Sequence, residues 1–192
     1  MILIQIPVGN MANFSYILAD ETTKEAAVID PGFEYEKSLN KAEEQKFKIT
    51  KILLTHAHFD HITDLPAIAE ATKAEIYIHE EEPLDLKLKT HKVKDNDLIS
   101  LGKLKIKVIH TPGHTPGGVC FLSESKLITG DTLFCNSIGR TDLPESNHDE
   151  MLQSLKKLSK LPDKTEIWPG HSYNGNKSTI GEQKKTNPFM QP

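Results

Sequence analysis

The sequence predicts an α/β protein in which helices pack outside β-sheets. Short apolar runs separated by polar turns predict strands at residues 2–6, 14–18, 26–29, 52–54, 76–78, 104–109, 119–122, 127–129 and 167–168. Helical spacing of apolar residues predicts helices at 35–46, 65–72 and about 146–160. A first group of strands, followed by further strands that alternate with helices, is typical of layered α/β folds.

Local patterns support individual elements of this prediction. Apolar residues alternate with lysines over 103–109, which predicts a strand with one face in the core and one face in water. Ser146 and Asp149 resemble a capping box ahead of the last helix. Asp64 is the expected N-cap of the helix at 65–72, and Pro66 lies in the first turn, where proline is tolerated.

Composition and charge exclude several classes of partner. The 192 residues suit one domain, 1–192, and the formal net charge of -4 gives neither a basic surface for nucleic acid nor a polybasic membrane anchor. The first ten residues lack the basic start of a signal peptide and the length of a membrane span, so we expect a cytoplasmic protein. We therefore expect a small-molecule partner, and a monomer or small homo-oligomer. Cys120 and Cys135 have no metal-ligand spacing and are expected to be free thiols.

Residues 55–61, THAHFDH, carry the strongest chemical signal. His56, His58, Asp60 and His61 fall within six consecutive positions, and imidazole and carboxylate are typical ligands of catalytic zinc. The alternative is a solvated polar loop. Further candidate ligands in turns favour a metal site over this alternative.

Three of these turns supply one candidate ligand each. His114 lies in the run TPGHTPGG, where proline and glycine produce a tight turn, Asp131 follows Gly130, and His171 follows Gly170. Like THAHFDH, each segment comes just after a predicted strand, and the carboxyl ends of strands in layered α/β folds are where loops converge into a site.

The seven candidate ligands suit two metal ions better than one. With five imidazoles and two carboxylates, each ion could take three terminal ligands and share a bridging carboxylate, leaving room for a bridging water. Two cations would lower the pKa of that water to near neutral. The remaining histidines have other expected roles: His110 is packed near the site, His79 and His91 are solvated, and His148 lies in the first turn of the last helix.

The ordered set His56-x-His58-x-Asp60-His61, His114, Asp131 and His171 resembles the metallo-β-lactamase superfamily across almost the whole chain. The sequence is most similar to the compact glyoxalase II-like, or hydroxyacylglutathione hydrolase-like, branch. The segments that support this branch are 130–134, 138–144, 179–182 and 187–189. The resemblance implies a four-layer αββα sandwich with the metals at one edge of the paired sheets.

The resemblance also implies a ligand assignment and a reaction. One ion, expected to be zinc with iron or manganese as alternatives, would bind His56, His58 and His114. A second would bind Asp60, His61 and His171, with Asp131 bridging the two. A bridging hydroxide would then hydrolyse a thioester such as S-lactoylglutathione, with Asp60 and Asp131 as the catalytic carboxylates.

Substrate contacts are expected from four further residues. Arg140 could bind a substrate carboxylate or pair with Asp142, Tyr173 could line the pocket, and Lys184 and Lys185 could reach the substrate tail or lie solvated. Full-length glyoxalase II enzymes carry an additional C-terminal helical region that binds glutathione. The sequence ends at Pro192 without one, so another thiol carrier or a broader ester range is an open alternative.

Other functions compete with this prediction. A persulfide dioxygenase of the same superfamily would use one iron held by His56, His114 and Asp131, and it resembles the chain near 14–31 and 173–179. The segment at 140–144 favours the hydrolase. Lactone or β-lactam hydrolysis is accessible to the same hydroxide. A non-catalytic metal-binding module is disfavoured because structural zinc sites prefer cysteine.

Overall fold

The computed structural model describes residues 1–84 and 86–191. The strands are β1 (Ile2–Val8), β2 (Asn13–Ala19), β3 (Glu25–Ile29), β4 (Lys48–Leu53), β5 (Glu75–His79), β6 (Thr90–Val93), β7 (Leu98–Leu101), β8 (Leu104–His110), β9 (Val119–Ser123), β10 (Lys126–Gly130), β11 (Leu133–Phe134), β12 (Ser137–Ile138), β13 (Glu166–Pro169) and β14 (Ser178–Thr179). The helices are α1 (Tyr35–Glu44), α2 (Phe59–Ile62), α3 (Leu65–Thr72), α4 (His148–Leu158) and α5 (Ile180–Thr186).

Two mixed sheets contain twelve of these strands. The first sheet has the order β1-β2-β3-β4-β5-β6, with parallel pairing from β3 to β6. The second has the order β14-β13-β10-β9-β8-β7, in which only the β10 and β13 pair is parallel among the described strands. Strands β11 and β12 form a small separate hairpin.

Three apolar clusters separate four layers. The first lies between the first sheet and helices α1 and α3, the second between the two sheets, and the third between the second sheet and helices α4 and α5. Strand β2 is buried along its whole length and divides its side chains by alternation: Ile17 belongs to the first cluster, and Tyr16 and Leu18 belong to the second. This arrangement is the predicted four-layer αββα sandwich.

The predicted strands all occur, and the main corrections concern helix ends. Asn147, rather than Ser146, is the N-cap of α4, since its side chain accepts hydrogen bonds from the backbone N–H groups of Asp149 and Glu150. Asp64 is the N-cap of α3 but makes no capping hydrogen bond with its side chain. Its carboxylate instead accepts a hydrogen bond from Tyr35 N at 3.1 Å. The short elements β6, β7, β11, β12, β14, α2 and α5 were not predicted.

Two further expectations concern individual side chains. Cys120 and Cys135 are free and buried, as predicted. His79 was expected in solvent but is buried, with its ring stacked on that of His110 at a centroid distance of 3.9 Å.

The longest helix in the described ranges, α4, has 11 residues, and no described helix has the length and apolar character needed to cross a bilayer.

Candidate metal centre

The candidate ligands converge from four strand ends, as the sequence predicted. His56 and His58 follow β4, with Asp60 and His61 in the adjoining helix α2. His114 follows β8, Asp131 follows β10 and His171 follows β13. The first of these strands belongs to one sheet and the others to the second sheet, so the site lies at the shared edge of the sandwich.

The ligands form two half-sites. In the first, the candidate ligand atoms of His56, His58 and His114 all lie within 4.8 Å of one another, and in the second those of Asp60, His61 and His171 do the same. In the second half-site, Asp60 Oδ2 is 3.4 Å from His171 Nε2 and 3.7 Å from His61 Nε2. Each group offers three donors to one ion.

Asp131 lies between the two half-sites. Its Oδ1 is 3.4 Å from His61 Nε2, and its Oδ2 is 3.2 Å from His171 Nε2 in the second half-site. The same Oδ2 is 3.6 Å from His114 Nε2 in the first. A carboxylate in this position can serve both half-sites.

Several buried polar atoms at the site lack hydrogen-bond partners, and they indicate whether the residues suit a metal ion. His56 Nε2, His114 Nε2 and Asp131 Oδ1 are buried and have no hydrogen-bond partner among the described residues. An unsatisfied buried polar atom costs about 1–3 kcal/mol. Three such atoms facing one another are explained by cations that accept their lone pairs, so the residues fit a metal centre.

The opposite ring nitrogens are occupied, which sets the tautomer of each imidazole. Nδ1 of His114 is 2.8 Å from Arg140 O, and Nδ1 of His171 is 2.9 Å from Met11 O. Because a carbonyl oxygen only accepts, each Nδ1 must donate, which leaves Nε2 with its lone pair in the neutral ring. His58 has the reverse arrangement: its Nε2 is 2.8 Å from Glu145 Oε1, which leaves Nδ1 available.

The pKa directions reflect the crowding of charge. Burial, with the neighbouring His61, lowers the pKa of His56 well below its ordinary value, and burial also lowers the pKa of His114. Burial opposes ionisation of Asp131, but His61 and His171 outweigh it and hold the carboxyl pKa well below its usual range. Asp131 is therefore an anion, as a bridging ligand requires.

Two polar residues near the N-terminal strands support the second half-site. Asp30 Oδ2 is 3.1 Å from His61 Nδ1 and accepts a hydrogen bond from Thr55 Oγ1 at 2.6 Å. Asn13 Nδ2 donates to Asp60 Oδ2 at 2.9 Å. The Asp30 contact orients His61 through Nδ1 and leaves Nε2 facing the half-site. The Asn13 contact orients Asp60 through Oδ2, the same oxygen that faces His171.

Glu82 connects the loops of the first half-site. It is buried, and its Oε1 accepts a hydrogen bond from Ala57 N at 2.8 Å. Its Oε2 accepts from Thr115 Oγ1 at 2.8 Å and from Gly117 N at 3.0 Å. One carboxylate thus joins the loop of His56 and His58 to the loop of His114.

Gly170 leaves the space that the bridging carboxylate occupies. A Cβ at this position would lie 2.3 Å from Asp131 Oδ1 and 3.0 Å from His61 Cε1. Neither atom can move away without disturbing the second half-site. The glycine before His171 is therefore required by the close approach of Asp131.

A cleft of about 520 Å³ opens over the ligands. It is lined by Met11, His58, Phe59, Asp60, His114, Asp131, Phe134, Ile138, Gly139, Arg140, Leu143, Glu145, His171 and Tyr173. This volume is in the range of small-molecule sites.

The structure brings two of the four predicted substrate residues to the cleft. Tyr173 lines it and stacks on His171 at a centroid distance of 4.7 Å. Arg140 also lines it but is exposed and pairs with Asp142 through two contacts of 2.8 and 3.0 Å. Lys184 pairs with Asp163 at 2.7 Å, and neither Lys184 nor Lys185 lines the cleft.

Sequence reasoning missed Asn13, Asp30, Glu82 and Glu145. Asp30 had a usable signal, since it follows a predicted strand and precedes Pro31 and Gly32 in the same way that other candidates sit in strand-end turns. Asn13 directly precedes the predicted strand at 14–18 and is the first residue of β2 in the structure, and Glu82 lies in an acidic run typical of solvated loops.

Comparison with known proteins agrees with this geometry. The sequence profile of the metallo-beta-lactamase superfamily matches residues 8–171. The hydroxyacylglutathione hydrolase GloC of Haemophilus influenzae is 33% identical over 200 residues, covering 93% of this chain and 92% of that protein.

Two solved structures are similar over nearly the whole chain. ETHE1 from Myxococcus xanthus has a TM-score of 0.90 at 33% identity, covering 98% of this chain and 84% of that one. TTHA1623, crystallised in a di-iron-bound form, has a TM-score of 0.85 at 31% identity, covering 97% and 99%. The chain belongs to the metallo-beta-lactamase superfamily, whose members include metal-dependent hydrolases.

Proposed function

We propose that the protein hydrolyses thioesters of the 2-hydroxyacylglutathione kind, such as S-lactoylglutathione, with two divalent metal ions. The observation that carries this proposal is the presence of two complete half-sites, each with three donors, around a carboxylate that reaches both. The similarity to GloC supports the substrate class. Zinc is the expected metal, because three protein donors of nitrogen and oxygen type suit a hydrolytic zinc site.

The residues of each half-site have separate roles in this proposal. His56, His58 and His114 would hold one ion, while Asp60, His61 and His171 would hold the other. Asp131, kept anionic by the neighbouring imidazoles, would contact both. When bound, such ions polarise a carbonyl and make water a nucleophile near neutral pH.

The reaction makes few demands on the groups that line the cleft. Water adds to the carbonyl carbon of the thioester, the C–S bond breaks, and the products are a carboxylate and a thiol. Because a thiolate is a stable leaving group, this reaction needs no strong general acid. The lining fits that requirement, since Glu145, a carboxylate at the rim, is already paired with His58.

Persulfide dioxygenation is the second candidate function. The similarity to ETHE1 supports it as strongly as the similarity to GloC supports hydrolysis. A two-histidine, one-carboxylate set with open positions suits non-haem iron and O₂. A single iron would leave the donors of the second half-site without a cation, which favours the two-metal hydrolase.

Metal analysis and two activity assays separate these functions. We expect about two metal ions per chain and hydrolysis of S-lactoylglutathione, without oxygen uptake on glutathione persulfide. Asp131→Asn should lower the metal content and abolish hydrolysis, whereas the matched variant Asp163→Asn, outside the cleft lining, should change neither. One iron per chain with rapid oxygen uptake would refute the proposal.

A further inference from the structure

Two histidines at strand ends form a stacked pair outside the cleft. His79 is the last residue of β5 in the first sheet, and His110 is the last residue of β8 in the second. Their rings are 3.9 Å apart between centroids, with an interplanar angle of 16°. Neither residue lines the cleft over the metal ligands. The pair therefore connects the two sheets at a place separate from the metal centre.

Glu81 completes a group of three possible metal ligands. One ligand atom from each of His79, Glu81 and His110 lies within 4.8 Å of the other two, which is the spacing found in each half-site of the metal centre. Ligands bound to a tetrahedral zinc at about 2.1 Å are separated from one another by about 3.4 Å. The three atoms would thus have to approach one another by at most about 1.4 Å to bind one ion.

The ring nitrogens of the two histidines are only partly used by the protein. Nδ1 of His79 accepts a hydrogen bond from Glu81 N over a long distance of 3.3 Å. Nε2 of His110 is 2.9 Å from Pro116 O and donates to it, because a carbonyl oxygen only accepts. An ion would therefore displace at most one hydrogen bond to a described residue at each ring, whichever nitrogen binds it.

The charges around the pair also favour a cation. Of three neighbouring carboxylates, Glu80 and Asp95 are each paired with a lysine, at 3.1 and 2.7 Å. Among the described residues, the charged contact of Glu81 is with His110, at 3.7 Å between Oε2 and Nε2. Burial and the neighbouring His110 lower the pKa of His79, so its ring is neutral near pH 7 and has a lone pair for a metal ion.

We propose that His79, Glu81 and His110 bind a further divalent cation, separate from the paired metal centre, with zinc as the expected ion. Two imidazoles and one carboxylate suit zinc, nickel or copper, whereas magnesium and calcium prefer oxygen ligands. Water would complete the coordination, since Glu81 is 59% exposed. With three protein ligands and no bridging carboxylate, this site binds more weakly than the paired centre and fills only in excess zinc.

An ion at this site would hold the two segments that Glu82 joins. His79 is three residues before Glu82 on one segment. On the other, His110 contacts Pro116, and the next residue, Gly117, donates its N–H to Glu82. The ion would thus link the end of β5 to the end of β8 beside the first half-site.

Zinc titration of wild type and matched variants, in competition with a chromophoric chelator, tests the proposal. His79→Gln and His110→Gln should each bind one ion fewer than wild type, and Glu81→Gln should bind that ion at least about tenfold more weakly. His91→Gln is the matched control, because His91 is 44% exposed on β6 and outside the group. The readout is the difference between proteins, so it does not depend on how many ions the paired centre takes up.

Two further measurements keep the test valid if a histidine variant does not fold. In side-chain NMR of wild type, zinc added after the metal centre is filled should shift the ring nitrogens of His79 and His110. Those of His91 and His148 should stay in place. Wild type and Glu81→Gln should unfold at the same urea concentration in chelator, whereas wild type should withstand more urea in excess zinc, because an ion that binds only the native state stabilises it.

The outcomes decide between a metal site and a packing contact. Ring resonances of His79 and His110 that do not respond to zinc, together with equal zinc binding by wild type and Glu81→Gln, would overturn the proposal. The stacked pair would then serve only to pack the two sheets. Loss of the same ion in His91→Gln would also overturn it, since the ion would then lie elsewhere.

Discussion

Replacement of Glu82 by alanine is expected to destabilise the metal-free protein by about 3 kcal/mol. The carboxylate accepts hydrogen bonds from Ala57 N, Thr115 Oγ1 and Gly117 N. Alanine would leave the buried Gly117 N–H and the partly buried Ala57 N–H unsatisfied, at about 1–3 kcal/mol each. Relief of the carboxylate from burial and rotation of the Thr115 hydroxyl offset part of this cost.

Urea unfolding of chelator-treated protein, followed by the fluorescence of the single tryptophan, Trp168, measures the effect. With a slope of about 2 kcal/mol per molar urea, the midpoint should fall by about 1.5 M. Glu81→Ala is the matched control. Glu81 is the residue before Glu82, its side chain is 59% exposed, and its loss should cost less than about 0.5 kcal/mol.

Metal affinity gives an independent measurement of the same role. Groups that hold a metal ligand in place typically contribute about 10–100-fold to affinity. Glu82→Ala should therefore weaken binding by a comparable factor, measured by competition with a chromophoric chelator. If the Glu82→Ala and Glu81→Ala proteins unfolded at the same urea concentration, the link between the two loops would have no energetic importance and the reasoning would be refuted.

Three other predictions follow from single contacts. Asn13→Ala should lower the affinity for the metal ion of the second half-site by about tenfold in chelator competition, because Asp60 loses the hydrogen bond that orients it. The ion of the first half-site should be retained, and equal loss of both ions would contradict this prediction. The backbone N–H of Lys103, with those of Thr22 and Thr23, lowers the pKa of Asp20 to about 2, so its contribution to stability is present above pH 3.8 and is lost as pH falls toward 2. The stability difference between wild type and Asp20→Asn should therefore shrink over that interval in urea titrations, and a constant difference would refute it. Burial raises the pKa of Cys120 to about 11, and that of buried Cys135 is also raised, so neither thiol should react with an aromatic disulfide reagent at pH 8 until the protein is unfolded.

The sequence was informative wherever a local pattern decides the structure. The alternation of lysines with apolar residues correctly predicted β8. The apolar runs correctly predicted strands whose side chains pack into two different apolar clusters. The ligand segments were predictable because each follows a strand, and strand ends converge at one edge of the sandwich.

The residues that support the ligands were harder to predict because their contacts are distant in sequence. Glu82 lies in an acidic run that looks solvated, yet it is buried because Gly117 has no side chain: a Cβ there would lie 2.3 Å from Glu82 N. Asn13 meets Asp60 only because the fold brings β2 close to helix α2, which follows β4. No pattern within either segment encodes these approaches.

The two half-sites are supported by different parts of the chain. Glu82 and Glu145 hold the loops and the imidazole of the first half-site. The second depends on the N-terminal segment 11–13, through the Met11 carbonyl at His171 and the Asn13 amide at Asp60.

Substitutions in the N-terminal segment should therefore change the occupancy of the second ion while the first is retained. Hydrolysis with a bridging carboxylate uses both ions, whereas oxygenation on iron uses one. A variant such as Asn13→Ala consequently tests which ions hydrolysis requires. Loss of hydrolysis in step with loss of the second ion assigns the reaction to the paired centre, and hydrolysis that persists with one ion assigns it to the first half-site alone.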